Sequence, residues 1–167
     1  MKMDDIAVKK RHTIKRSAAA RIGQALTGEI GAAEELFRTK NLEVVETNSP
    51  FTLYLIDKRP LLMEYEGWIF PTVRGAVERP FPERRVTVDS GAVPFVMNGA
   101  DIMRPGVVGA TDDVKKDAPV VIAEERHGKP LAIGIALYDA EDLLGQQKGK
   151  VVKTVHRVGD ALWNIEL

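Results

Sequence analysis

The chain has 167 residues, of which 44% are hydrophobic and 29% charged; Lys plus Arg equals Asp plus Glu at 24 each, and cysteine is absent. This composition suits one ordinary folded domain or two small ones, and it excludes disulfides, thiol catalysis and cysteine-ligated zinc. No run approaches the ~20 apolar residues that span a bilayer, and residues 1–20 lack the apolar stretch of a secretory signal, so no membrane association and a cytoplasmic location are expected.

The histidines, His12, His127 and His156, lie far apart, without the close spacing usual among metal ligands, so neither metal nor cofactor is expected. The balanced charge hides a local bias: residues 1–25 carry seven bases against Asp4 and Asp5. A second basic group is Arg79, Arg84 and Arg85, whereas acids gather at Asp112, Asp113, Asp117, Glu124 and Glu125. A one-sided basic face is one outcome of this distribution, and a solvated surface of mixed charge is the other.

In chain order, Lys9 to Arg16 reads as extended. Ser17 is placed to cap a helix over Ala18 to Leu26, where Ile22 and Leu26 share a face. Gly28 and Gly31 interrupt it, and a second short helix from Ala32 to Arg38 should turn Leu36 and Phe37 inward. The period then changes to two. Leu42–Glu46, Phe51–Ile56, Leu61–Tyr65 and Trp68–Phe70 are strands, separated by turn signals at Asn48-Ser49-Pro50, at Asp57 to Pro60 and at Glu66-Gly67. Helices followed by a meander make a small α+β domain. Arg79-Pro80-Phe81-Pro82 denies the backbone donors that a helix or central strand needs, so it reads as a linker. The boundary falls near residue 80, giving domains 1–79 and 80–167.

Beyond it, Arg85–Asp89, Val107-Val108, Pro119–Glu124, Leu131–Tyr138, Val151–Val158 and Ala161–Glu166 read as strands. Gly91 to Met97 forms a short helix with Pro94 in its first turn, and His127-Gly128-Lys129 a hairpin turn. Asp139 caps a one-turn helix reaching Leu144. About six short strands in so few residues suggest a closed or nearly closed barrel. The fold class expected is therefore α+β, with a six-stranded β-barrel as the second half.

The run Val86-Thr-Val-Asp-Ser-Gly-Ala92, then Val96-Met-Asn-Gly-Ala-Asp-Ile-Met-Arg-Pro-Gly-Val107, resembles the opening of a PUA domain. Ile133-Gly134, Asp139-Ala-Glu-Asp142, Lys148-Gly-Lys150 and His156-Arg-Val-Gly-Asp160 before Trp163 extend the resemblance over residues 84–167. Gly67-Trp-Ile-Phe-Pro-Thr-Val-Arg74 is similar to the pre-PUA module of the malignant T-cell-amplified sequence and ligatin family, in an archaeal-type version. The resemblance implies a translation-associated RNA-binding protein that engages structured RNA, or the 3′ CCA end of tRNA, on the small ribosomal subunit. It also implies a protein partner of the density-regulated kind. An accessory factor in tRNA or rRNA modification, and a protein–protein adaptor, are the alternatives.

Carried over residue by residue, the RNA-contacting surface is Gly99, Ala100, Asp101, Met103, Arg104, Pro105 and Gly106. The residue types suit the task. Gly99 and Ala100 let a phosphate or sugar approach the backbone. Arg104, the leading candidate, can pair with phosphate or stack on a base, and Met103 offers a flexible apolar surface. Arg84, Arg85, Lys150, Arg157 and Arg74 would extend the track, and Lys9, Lys10 and Arg11 would add phosphate contacts. Trp68 and Trp163 read as core, and His156 with Asp160 as turn-stabilising. No Gly-x-Ser-x-Gly surrounds Ser90, and neither a phosphate loop nor a dinucleotide glycine pattern is present, so no enzyme is expected.

Overall fold

A computed structural model describes residues 5–167. Contacts divide the chain into two units, one running to Phe81 and taking in Asp160–Leu167, the other Pro82–Gly159.

The first unit is built on an antiparallel sheet of five strands in sequential order: β1 (Val8–Thr13), β2 (Leu42–Thr47), β3 (Thr52–Ile56), β4 (Arg59–Tyr65) and β5 (Trp68–Pro71). Both tight hairpins have positive φ at their two central residues: Asp57 (51°) with Lys58 (69°), and Glu66 (49°) with Gly67 (87°). That backbone matches the right-handed twist of the flanking strands, so the turns set the register. Val45, Leu53, Leu55, Leu61, Met63 and Phe70 are fully buried in this sheet.

The first helix, α1 (Arg16–Ile30), runs beyond the expected Leu26. Its buried residues Ile22, Leu26 and Ile30 recur every four positions, and this burial offsets the helix-propensity cost of Gly23 and Gly28. Gly31, at φ 58°, ends it. Ser17 lies inside the helix rather than capping it; Lys15 occupies the cap position. The expected second helix is a 3-10 turn over Gly31–Phe37, which buries Phe37 but leaves Leu36 40% exposed. With about three residues per turn, adjacent side chains diverge too far to share one face.

A second helix, α2 (Val73–Glu78), was not legible in the sequence. Thr72 caps it, its hydroxyl accepting from the Gly75 N–H. Phe81, within the expected linker, is buried edge-on against Phe37 and Phe70, with ring centroids 6.1 Å away in each case. The expected strand over Ala161–Glu166 is a pair of turns instead. The Asp160 carboxylate accepts from the Trp163 N–H at 2.8 Å, and its carbonyl from the Asn164 N–H, which curls the segment. Trp163 and Trp68 are only half-buried, contrary to the core reading. The Arg74 guanidinium sits 4.1 Å from the Trp163 ring centroid, so the ring serves a cation.

Tyr54 is buried and its hydroxyl donates to Glu64 at 2.9 Å. Burial first, and then that hydrogen bond to a carboxylate, push the phenol well above its ordinary range. The stability this neutral phenol contributes is therefore complete below the unfolded value of about 10 and is lost as pH rises beyond it. Tyr54→Phe should flatten the fall in urea midpoint between pH 9 and 11; an unchanged slope would contradict this account.

The second unit is a nearly closed six-stranded barrel in the order β7-β11-β10-β9-β6-β8. The strands are β6 (Arg85–Val88), β7 (Ile102–Met103), β8 (Val107–Ala110), β9 (Pro119–Glu124), β10 (Pro130–Ala136) and β11 (Lys150–Arg157). Only β6–β9 pairs in parallel. Val86, Val88, Val120, Ile122, Ala132, Val151 and Val152 fill the interior with Leu143 of α4 (Ala140–Gly145). The Asp139 carboxylate does not cap α4; it accepts from the Lys116 N–H and ties down the loop before β9. The hairpin after β9 is closed by the Glu124 carboxylate, which accepts from the N–H groups of Arg126, His127 and Lys129. These donors, Lys129 foremost, hold the Glu124 carboxyl below its ordinary range.

Candidate functional site

A short helix, α3 (Val93–Met97), carries the most exposed large apolar side chain among the described residues, Phe95. Pro94 starts it, and the Asp89 carboxylate accepts from the Ala92 N–H at 2.9 Å just before it. The five residues show two opposite faces. Val96 is buried in the barrel, whereas Phe95 is 67% exposed. Gly99, at φ 87°, reverses the chain so that residues 100–103 run back toward β11.

Phe95 lines a groove of about 440 Å³ whose walls include Ala92, Met103, Pro105 and Gly106. Met103 is 49% exposed there, and Pro105 is exposed beside it. The charged residues that line the groove are Asp89 and Asp101. Both are engaged: Asp101 accepts from the Thr154 N–H at 2.9 Å and pairs with Lys150 Nζ at 2.8 Å. An open, mostly apolar shelf with one exposed ring suits a planar, partly polar ligand.

Residues 84–158 match the PUA domain family. An uncharacterized protein of Methanocaldococcus jannaschii is 32% identical over 160 residues, covering 95% of this chain and 98% of that one. Translation machinery-associated protein 20 of Schizosaccharomyces pombe is 31% identical over 159 residues, 92% of this chain and 88% of its own. A hypothetical protein of Pyrococcus horikoshii OT3 has the same fold, with a TM-score of 0.84 at 33% identity, covering 92% of this chain and 98% of that one. The chain belongs to the PUA-domain family that includes translation machinery-associated protein 20 and malignant T-cell-amplified sequence 1.

Within the PUA unit, Gly99, Ala100, Met103 and Pro105 are exposed, and Asp101 and Gly106 partly so. Arg104 is differently employed. Its Nε and Nη2 donate to the Leu144 carbonyl at 3.3 and 3.0 Å, and Nη1 donates to the Val107 carbonyl at 3.0 Å. It therefore clamps the 104–106 turn to the end of α4. Arg157 likewise donates from Nη1 to the carbonyls of Met97 and Val158, and a Cβ on Gly99 would sit 3.0 Å from its Nε. This arginine underlies the α3 turn.

Arg84 is only 4% exposed, at φ 55°, with its N–H held by Asp113, so it does not extend a surface track. Its position at the entry to β6 fixes it from both sides, because its carbonyl also accepts from the Val121 N–H of β9 at 2.7 Å. Arg85 donates to the Gly128 carbonyl, and burial pushes its guanidinium down. Lys150 is exposed next to the groove's Asp101.

Arg74, Lys9, Lys10 and Arg11 belong to the first unit. Arg74 is held by the Trp163 ring and carbonyl. Lys9 and Lys10 are exposed on β1, and Arg11 makes a two-pronged ion pair with Glu43. Sequence reasoning missed Phe95. Its place in an unbroken apolar run, Val93 to Met97, gave no signal that separates it from the buried Val96.

No group of His, Asp and Glu suited to a metal ion occurs among the described residues. No helix among them is long and apolar enough to cross a membrane.

Proposed function

We propose that this protein binds RNA in association with the translation machinery, holding an unpaired nucleotide of a tRNA end or an rRNA helix in the groove beside α3. The observation that carries this reading is Phe95, whose ring stands 67% exposed over a groove shared with Met103 and Pro105. A ring exposed over an apolar groove leaves its π-face open to a ligand, and an unstacked base supplies a matching one. The name of the fission yeast relative points to translation as the setting, and a cytoplasmic location goes with it.

Specificity follows from the rim. Asp89 and Asp101 repel phosphate but accept from base amino groups or a 2′-hydroxyl. The sugar–phosphate chain is therefore expected to pass over the small residues Gly99 and Ala100, with Lys150 beside it. Stacking then carries more of the affinity than phosphate neutralisation, and salt dependence should be shallow.

The test is fluorescence anisotropy with a labelled RNA hairpin ending in single-stranded CCA, against the same hairpin blunt-ended. The overhanging form should bind more tightly, and Phe95→Ala should weaken it by about 1–3 kcal/mol, the worth of one base–aromatic stack. Thermal stability should hardly change, because the ring is mostly solvated. Equal affinity of Phe95→Ala and the parent chain would remove the groove from RNA recognition.

A further inference from the structure

β1 is the outermost strand of the first unit's sheet, and among the described residues it pairs with β2 alone. All six residues from Val8 to Thr13 are exposed. An antiparallel edge strand turns half of its N–H and C=O groups away from its partner, so β1 presents a row of alternating donors and acceptors. The register is irregular between Val8 and Lys10, then regular from Lys10 to Thr13 opposite Glu46, Val45, Val44 and Glu43. That regular stretch is Lys10-Arg11-His12-Thr13, with Lys9 before it and Lys15 and Arg16 after it, all exposed. Alternation sets Lys10 and His12 on one face and Arg11 on the other.

Three occupants can be weighed. A second copy pairing β1 against β1 would align cation with cation, which is unfavourable for directly opposed residues. A nucleic acid offers phosphate acceptors for the lysines, but nothing for the donor–acceptor pattern of the backbone edge, whose carbonyls would oppose the phosphates. An extended peptide matches both the donors and the acceptors, and carboxylates on it complement the cations.

We propose that the outer edge of β1 receives an acidic peptide in extended conformation, added to the sheet as a further antiparallel or parallel strand along Lys10–Thr13. The site is separate from the groove beside α3, and it stands or falls independently of RNA binding there. The basic side chains supply charge selection and the backbone supplies the ladder; together they reject neutral and basic strands.

The probe is a fluorescein-labelled octapeptide of alternating Glu and Val, titrated against the full chain. The expected result is saturable binding with slowed amide hydrogen exchange in residues 10–13. Binding should weaken at least tenfold on Lys9→Glu/Lys10→Glu, a change at two exposed positions, and on N-methylation of every interior peptide residue, which keeps the charge and removes the donors. A Lys–Val octapeptide should not bind. Equal binding of the N-methylated peptide would overturn the proposal in favour of charge attraction alone. Absence of peptide binding would leave the basic edge as a guard against aggregation only, and oligouridylate that displaced the peptide and protected the same amides would reassign the edge to RNA.

Discussion

Arg104→Ala is expected to destabilise the PUA unit by about 2–3 kcal/mol, the scale of charge-assisted hydrogen bonds lost together. The side chain bridges two separate carbonyls, Leu144 at the end of α4 and Val107 at the start of β8. Truncation leaves both to find water, and it frees the 104–106 turn that forms one wall of the groove. Arg104→Lys should recover only part of the loss, because a single ammonium cannot reproduce the planar fork that reaches both acceptors. Urea unfolding of the three proteins gives the ranking directly. RNA binding adds a sharper distinction. If the clamp is the main role, the folded fraction of Arg104→Ala should bind RNA within a few-fold of the parent. A chain of unaltered stability whose RNA affinity had collapsed would instead mean that the guanidinium leaves its carbonyls to meet phosphate.

This residue shows where sequence reading stops. An Arg-Pro-Gly turn announces itself by its residue types, and the PUA resemblance located it. The direction of the guanidinium depends on Leu144, forty positions away, whose carbonyl is left without an intrahelical partner at the end of a six-residue helix. Phe95 escaped for a related reason. In a five-residue helix with Pro94 and four further apolar side chains, no period distinguishes the ring that faces water from the valine that packs. The strands of the first unit were legible because alternation and turn residues agree locally: Asp57-Lys58 and Glu66-Gly67 sit between apolar runs. The helix after β5 was not, since Pro71 suggested interruption and six residues with Gly75 in their midst have little helical propensity of their own. The tail misled for the opposite reason. Ala161, Leu162 and Trp163 look like strand, but Asp160 captures the backbone first.

Gly134→Ala should cost about 3 kcal/mol, at or above the upper end of ordinary overpacking. The glycine lies in β10, beside the irregular step in its pairing with β11. A Cβ placed there would lie 2.5 Å from Val152 Cγ1 and 2.7 Å from the Lys153 carbonyl oxygen. One neighbour is a side chain and the other is backbone, and this difference makes the prediction specific. Val152→Ala removes the methyl, so the double variant Gly134→Ala/Val152→Ala should lose less than the sum of the single losses. The carbonyl cannot retreat without bending β11, so the rescue should remain incomplete. Gly109→Ala in β8 is the control, because its Cβ would meet nothing within 4 Å. It should be neutral or slightly stabilising through the unfolded chain. Thermal melts of the four variants against the parent decide the matter: equal effects at positions 109 and 134 would mean that the barrel yields at β11, and that close approach of the two strands is not what keeps a glycine at 134.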